Sequence, residues 1–441
     1  MKVAFVGSCV KACVTRVRSS CAASALLVCH ASSVTPAPLT LQQAWALAEQ
    51  ANPTLQVAKA NVAAAQGELS QTHTLLFNNP QITVDGAKRD ISSIGAVGAD
   101  NQANISNLEG SIGLSQTFEL AGQQGKRRSA AEQSLSATQQ TIEAIRRQIR
   151  AEVEQRFVQV LRLQQRVRDQ KQALELIEKA LAVTRKRITA GEASRLDGNL
   201  AKVEAERARN QVALLKEQLI VARAILARLL QLPQGSVPEA RGSLEPAPTT
   251  YTLGILLQGA AHSPAVRALD FRESAAQSRL DLEHALGYPD LTVVLSYGNE
   301  VEFDSDAKIT TLSLSLPLPL FNRNQSGIGR AIAELTQAQI EKQVAQRNTG
   351  ARVRALWQQL VSLRARVERL KSLVLPRLNE NQRLSTTAYR EGEIGISQLL
   401  LVARQVLDAR RDLLDARTEL RLTQTALEAA AGWPSLQASQ Y

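Results

Sequence analysis

The stretch TTLSLSLPLPLFNRNQSGIGRA, residues 310–331, decides how this chain is interpreted. Leucine occupies every second position of its first half, at Leu312, Leu314, Leu316, Leu318 and Leu320, with Thr, Ser or Pro between. Alternation with period two predicts a strand that is apolar on one face. A turn-like NRNQ follows, and then a helical pattern that is far longer than those of ordinary globular domains.

Composition and charge narrow the class of protein. The chain has 441 residues, of which 44% are hydrophobic but only 3% aromatic. The apolar residues are mainly Ala, Leu and Val, which favour long packed helices over thick cores. The net charge of +11 is spread along helices where Arg alternates with Glu, Asp and Gln. We therefore expect solvated helix faces and no nucleic-acid partner.

The first 31 residues have the features of an export signal. They carry basic residues, then an apolar run over 21–29, and small residues up to Ala31. All four cysteines lie there, so none remains for a disulfide or a thiolate site after cleavage. Whether Cys29 is lipidated stays open. The rest has no apolar run of about 18 residues or more, so we expect no membrane-spanning helix, which leaves a periplasmic protein, a secreted protein or an outer membrane β-barrel.

The remainder of the chain repeats one pattern twice. ANPTLQVAKANVAAAQGELS and NPQITVDG in the first half correspond to HSPAVRALDFRESAAQSRLD and YPDLTVVLSYG in the second. We expect five segments: a signal peptide (1–31), a first repeat (32–232), a Pro- and Gly-rich linker (233–250), a second repeat (251–432) and a C-terminal tail (433–441).

Each repeat combines two strands with one long helical hairpin. The predicted strands cover about 80–88, 110–120, 289–298 and 308–320. The predicted hairpins cover 126–232 and 325–431, with their turns near 188–194 and 389–395. Apolar residues step by threes and fours along the hairpins, which demands a partner helix along each seam. Pro376 interrupts the second hairpin, where its missing N–H predicts a bend.

The strands pose a physical problem that one chain cannot solve. They are about ten residues long and apolar on one face, as a tilted bilayer-spanning strand has to be. Four strands cannot close a barrel, and open edges leave unpaired N–H and C=O groups that hydrocarbon does not tolerate. We therefore expect several copies to share one transmembrane β-barrel, which the long helices extend as a tube through an aqueous compartment.

These features together resemble the TolC-like outer membrane efflux family. The resemblance covers about residues 39–432 and rests on LTLQQAWALAEQANPTL, PLPLFNRNQSGIGRA and AYREGEIGISQLLLVARQ, in addition to the repeat. PLPLFNRN is most similar to the branch that serves cobalt–zinc–cadmium resistance. The resemblance implies a mainly α fold, in which long hairpins form an α-barrel and each chain gives four strands to a trimeric β-barrel.

The resemblance also implies function and partners. The family forms homotrimeric exit ducts in the bacterial outer membrane, whose helical part lies in the periplasm. They work with a periplasmic adaptor and an inner-membrane resistance–nodulation–division pump, which supplies the energy. We expect the cargo to be heavy-metal cations. The helix turns are implied to dock the adaptor, through Gly191, Glu192, Gly392, Glu393 and Gly395.

A periplasmic gate is the most specific implication of the resemblance. In this family, hydrogen bonds between neighbouring hairpins close the mouth. One partner is a tyrosine three residues before a turn glycine, as Tyr389 is before Gly392. The other is an aspartate six residues after the other turn glycine, as Asp197 is after Gly191. A phenol–carboxylate bond contributes roughly 1.5–3 kcal/mol when it is shielded from water.

The sequence predicts neither catalysis nor a bound metal or cofactor. It has no phosphate-binding Gly-rich loop, no nucleophile elbow and no clustered His, Cys and Asp residues. Its four histidines lack ligand spacing. Two alternatives stay open: a duct for organic drugs or solvents, and a periplasmic coiled-coil adaptor or scaffold. An adaptor normally has one hairpin, whereas this chain has two.

Overall fold

A computed structural model describes residues 38–92, 104–246, 248, 250–302 and 305–432. The predicted signal peptide and the predicted C-terminal tail lie outside these residues. The first half contains α1 (Leu41–Ala51), α2 (Pro53–Thr72), β1 (Gln81–Ser92), β2 (Asn104–Phe118), α3 (Gln123–Thr189) and α4 (Arg195–Leu229). The second half contains α5 (Leu253–Ala261), α6 (Pro264–Ala285), β3 (Leu291–Glu302), β4 (Ser305–Ser315), α7 (Gln325–Arg369), α8 (Leu375–Glu391) and α9 (Ile396–Ala430).

The helix α3 runs the length of the molecule. Its 67 residues correspond to roughly 100 Å at 1.5 Å per residue. The apolar seam of α3 is buried, with Val153 and Val160 fully enclosed and Phe157 nearly so. The helix α4 covers only the half of α3 next to the turn, since it has 35 residues. The other half of α3 packs against α1, α2 and α6, which the sequence did not reveal as partners.

The second long helix is interrupted where Pro376 was expected to disturb it. Residues Leu370–Val374 form one π-helical turn between α7 and α8. There the Leu375 N–H donates to the carbonyl of Leu370, five residues back. A wider turn relieves the clash between the Pro376 ring and the carbonyl four residues before it, so the helix continues through the proline.

The four strands form one antiparallel sheet in the order β1-β2-β3-β4. Its strands reach further into polar sequence than the alternation predicted. β1 continues to Ser92, paired with Asn104 at the start of β2, and Glu302 of β3 pairs with Ser305 of β4. The predicted bounds near 88, 110, 298 and 308 left out these stretches, because backbone pairing needs no apolar pattern. β4 ends at Ser315 rather than near 320, because Pro317 and Pro319 cannot donate to a ladder.

Paired residues of the sheet sort into an apolar and a polar face, with Gln116 and Val294 as exceptions. Ile82, Leu114, Leu295 and Leu312 form one row across all four strands. The next row, on the opposite face, is Thr83, Gly113, Ser296 and Thr311. The residues of the apolar row are 72%, 49%, 52% and 66% exposed, in that order. An apolar face of this extent calls for a non-aqueous neighbour.

Ion pairs join the two repeats along α9. The Arg421 guanidinium lies 2.7 Å from the buried Glu154 carboxylate of α3. Further along, Arg162 of α3 is 2.8 Å from Asp415 of α9. These contacts fix the register between the halves, since a buried carboxylate without its partner costs several kcal/mol. Among the described residues, no helix has an apolar stretch of the length needed to cross a membrane.

Candidate functional site at the helix turns

The two helix turns lie side by side at one end of the molecule. A cluster of buried residues from α3, α4, α8 and α9 packs behind them, and it includes Leu181, Ala201, Tyr389, Ile396 and Leu399. Both hairpins of one chain therefore share one apolar support. The residues predicted at the turns are brought into a single region, whose two halves contact each other directly.

The same backbone motif ends the first helix before each turn, which is α3 in the first hairpin and α8 in the second. Gly191 has φ +80° and Gly392 has φ +88°, the left-handed conformation that glycine adopts without strain. The next residue bonds back across the turn in each case. The N–H of Glu192 donates to Arg187 O at 2.8 Å, and the N–H of Glu393 donates to Ala388 O at 2.9 Å. Both glutamates are exposed at the tips.

The second turn differs from the first in what surrounds its glycine. A Cβ on Gly392 would come within 2.7 Å of Arg187 Nη2, whereas a Cβ on Gly191 would meet nothing within 4 Å. Gly392 therefore combines a positive φ with the close approach of the Arg187 side chain. Gly395 has φ −80° and begins α9, so it needs no glycine for its backbone conformation.

Arg187 connects the two turns, and the sequence did not single it out. Its Nη1 donates to the carbonyl of Tyr389 at 3.3 Å, and its guanidinium carbon lies 5.7 Å from the centroid of the Tyr389 ring. Its Nε lies 3.6 Å from the Glu192 carboxylate. One arginine of the first hairpin thus contacts the second hairpin and its own tip.

Tyr389 is buried against the first hairpin. Its side chain is 4% exposed, and its hydroxyl lies 2.6 Å from Thr184 Oγ1, which is on α3. Thr184 is 1% exposed, and its hydroxyl donates to the carbonyl of Ala180 at 2.8 Å. Because that donation uses the single proton of Thr184, Tyr389 has to be the donor in the bond between the two hydroxyls.

Asp197 has a different partner from the predicted one within the chain. Its carboxylate accepts from the Ser194 N–H at 3.2 Å and from the Ser194 hydroxyl at 2.7 Å. This is a capping box that starts α4. Among the described residues, Asp197 and Tyr389 make no hydrogen bond to each other. Their pairing between neighbouring hairpins stays a prediction.

The described residues offer no metal centre. They contain no group of three or more His, Cys, Asp or Glu side chains arranged to hold an ion. The site is instead a packed joint between two hairpins, made from one phenol, one threonine and one arginine. This joint holds no nucleophile or general base in the arrangement that catalysis needs.

The chain belongs to the outer membrane efflux protein family. The profile of that family matches residues 45–231 and 256–433, which correspond to the two repeats. Fold and family together define an outer membrane efflux channel of the TolC type, a transport duct and not an enzyme.

Several known proteins are similar to this channel. The cobalt-zinc-cadmium resistance protein CzcC of Cupriavidus metallidurans is 28% identical over 373 residues, which cover 85% of each chain. The nickel and cobalt resistance protein CnrC of the same organism is 25% identical over 310 residues, 70% of each chain.

Two solved structures share the fold. CusC has a TM-score of 0.72 at 18% identity, and the match covers 89% of this chain and 92% of CusC. VceC of Vibrio cholerae has a TM-score of 0.72 at 20% identity, and the match covers 89% of this chain and 96% of VceC.

Proposed function

We propose that this protein is the exit duct of a tripartite efflux system and acts as a homotrimer. The observation that carries this proposal is the sheet, which has an exposed apolar face and, within the described chain, edges at β1 and β4. Lipid satisfies the apolar face, and strands of two further copies satisfy the edges. Three chains give a closed barrel of twelve strands.

The helices continue the duct into the periplasm in this proposal. β2 leads into α3 and β4 into α7, so both long helices leave the sheet at the same end. At roughly 100 Å, α3 is long enough to cross much of an aqueous compartment. The channel itself is passive, and an inner-membrane pump supplies the energy.

The helix turns are the proposed docking surface for a periplasmic adaptor. The tip residues Gly191, Glu192, Gly392, Glu393 and Gly395 are exposed, and apart from the adjacent residues nothing in the described part of the chain lies within 4 Å of a Cβ built on Gly191 or Gly395. A helix of the adaptor can approach the backbone closely at such positions. Two exposed glutamates supply negative charge for basic residues of the partner.

The joint between the turns is the proposed gate. Within the described chain the Tyr389 hydroxyl donates its hydrogen bond to Thr184, so in this arrangement it has no proton for a carboxylate. A hydrogen bond from Tyr389 to Asp197 therefore requires the Tyr389 proton to turn away from Thr184. We propose that these two bonds belong to alternative arrangements of the mouth, and that the adaptor shifts the balance between them.

Heavy-metal cations are the proposed cargo. This proposal rests on the relatives described as cobalt-zinc-cadmium and nickel-cobalt resistance proteins. Deletion of the gene should increase sensitivity to zinc, cobalt, cadmium or nickel, and growth on a metal panel and on a panel of organic toxicants measures this. If only the organic panel changes, the cargo assignment is wrong while the channel assignment stands.

A further inference from the structure

The apolar face of the sheet changes character towards the end that lies away from the helices. Gly86 pairs with Gly110, Gly110 with Asn299, and Asn299 with Lys308. Since directly paired residues share one face, these four residues form a row on the same side as the leucines. Lys88 lies on that side too, two residues beyond Gly86. Both lysines are exposed.

This row lies where the hydrocarbon region should end. The preceding row towards the helices is Val84, Ile112, Tyr297 and Thr310. The side chain of Tyr297, which is apolar with a polar tip as is typical at membrane interfaces, therefore adjoins the polar row. On β2 the same face runs from Phe118 to Gly110, about 26 Å of strand at 3.3 Å per residue. At the tilt of about 35–45° of such strands this spans roughly 19–22 Å, close to the height of the apolar band of outer membrane barrels.

This end of the apolar face carries two lysines and, at Gly86 and Gly110, a surface without side chains. Among the described residues nothing lies within 4 Å of a Cβ built on Gly86, so Gly86 and Gly110 leave a shallow notch. Lys88 lies two residues along β1 from this notch, and Lys308 lies two strands away from Gly110. The Asn299 side chain accepts from the Gly110 N–H at 3.0 Å, which fixes the wall of the notch. An ammonium group beside a notch at the membrane boundary suits an anionic headgroup that enters from the lipid side.

We propose that Lys88 and Lys308 bind the phosphates of a phosphorylated glycolipid in the outer leaflet. The inference rests on the proposed membrane orientation, in which this end of the sheet faces the exterior. The notch receives part of the sugar headgroup, and the lysines pair with its phosphates. The lipid thereby fixes the height of the barrel in the membrane.

Native mass spectrometry of the detergent-purified protein tests the proposal. Bisphosphorylated lipid A and the same lipid without phosphates are titrated into wild type and into the double variant Lys88→Gln/Lys308→Gln. We expect the variant to bind the phosphorylated lipid about 30-fold more weakly, since each lysine near an anionic surface contributes roughly fivefold. The dephosphorylated lipid should bind both proteins equally weakly.

The matched control removes the same charge elsewhere. Lys202 and Lys216 are exposed on α4, far from the sheet, and Lys202→Gln/Lys216→Gln should bind as wild type does. Equal binding of the phosphorylated lipid by wild type and the sheet variant overturns the inference, and so does equal loss in the control. If either result occurs while the protein fractionates with outer membranes, the proposed function stands. If the wild type is absent from outer membranes, the proposed function fails instead.

Discussion

The hydroxyl of Tyr389 has one proton, and it donates this proton in a hydrogen bond of 2.6 Å to Thr184 Oγ1. Tyr389→Phe removes the donor, and Thr184→Val removes the acceptor while keeping the shape of the side chain. Each variant should destabilise the arrangement that contains this bond by about 1 kcal/mol, which changes the ratio of open to closed channels roughly fivefold. Open probability of single channels in planar bilayers measures this.

The two variants separate the alternative gate arrangements. If Thr184 is the partner in the closed state, both variants open the channel by similar amounts. If Asp197 is the partner, Thr184→Val closes the channel further, while Tyr389→Phe and Asp197→Asn open it. Tyr288→Phe is the control, because Tyr288 is exposed and distant from the turns.

Alanine substitutions at the three turn glycines compare the stability cost of a strained backbone with that of an unstrained one. Gly191→Ala should cost about 1 kcal/mol, because alanine is strained at φ +80°. Gly392→Ala has a similar φ and should cost slightly more, about 1–2 kcal/mol, because the flexible Arg187 side chain has to move away from the new methyl group and loosens its contacts with Tyr389. Gly395→Ala should cost less, about 0.5 kcal/mol, because its φ is −80° and only the preference of the N-cap for glycine over alanine is lost. Thermal denaturation of the detergent-solubilised protein ranks the three.

Removing the Arg187 side chain tests whether it causes the extra loss of stability in Gly392→Ala. In the double variant Arg187→Ala/Gly392→Ala the methyl group meets no guanidinium, so the extra cost of alanine at 392 should disappear. An equal cost at 191 and 392 in the wild-type background would contradict the close approach of Arg187.

The sequence revealed the turn glycines but not the joint between them. The glycines were recognisable because two turns of similar sequence end two apolar seams. Thr184 and Arg187 lie on α3, more than 200 residues before Tyr389, and a threonine or arginine on a long helix is ordinary in sequence. Only the packing of α3 against α8 brings them together.

Strands are the elements on which the membrane assignment depends. Leu312 and Thr311 are neighbours on β4 but face opposite sides of the sheet. Leu312→Arg places a charge towards lipid and should cost about 2–4 kcal/mol, which lowers the amount of assembled protein in outer membranes. Thr311→Arg places the same charge on the polar face and should assemble normally. Equal assembly of the two variants would contradict the proposed lipid-facing side.

Substitution of Pro376 tests whether this proline causes the π-helical turn in the second long helix. Pro376→Ala restores an N–H and removes the ring, so the helix should gain up to about 3 kcal/mol and melt at a higher temperature. Pro53→Ala is the control, since Pro53 opens α2 at a position that tolerates proline. A lower melting temperature for Pro376→Ala would mean that the π-helical turn is stabilised by something other than the proline.

Secondary-structure elements could be predicted where the sequence has an apolar periodicity, and the prediction fell short where the sequence is polar. The leucine alternation located β4, but β1 and β2 extend beyond their predicted bounds through residues 89–92 and 104–109, where backbone pairing continues without the apolar alternation. The seam of α3 was evident, yet its contacts with α2 and α6 were not, because a seam shows that a helix is needed but not which one.

At the scale of the whole molecule, the two repeats form one unit that remains incomplete alone. Ion pairs between α3 and α9 hold the halves in register. The apolar face of the sheet and its two edges have no counterpart within the described chain. Assembly with further copies in a membrane is therefore the central claim of the proposed function.

The mass of the protein after gentle detergent extraction tests this claim most directly. Native mass spectrometry or light scattering corrected for detergent should give three times the mass of one mature chain, and the protein should precipitate when detergent is withdrawn. A stable monomer that stays in solution without detergent would contradict both the shared barrel and the exit duct.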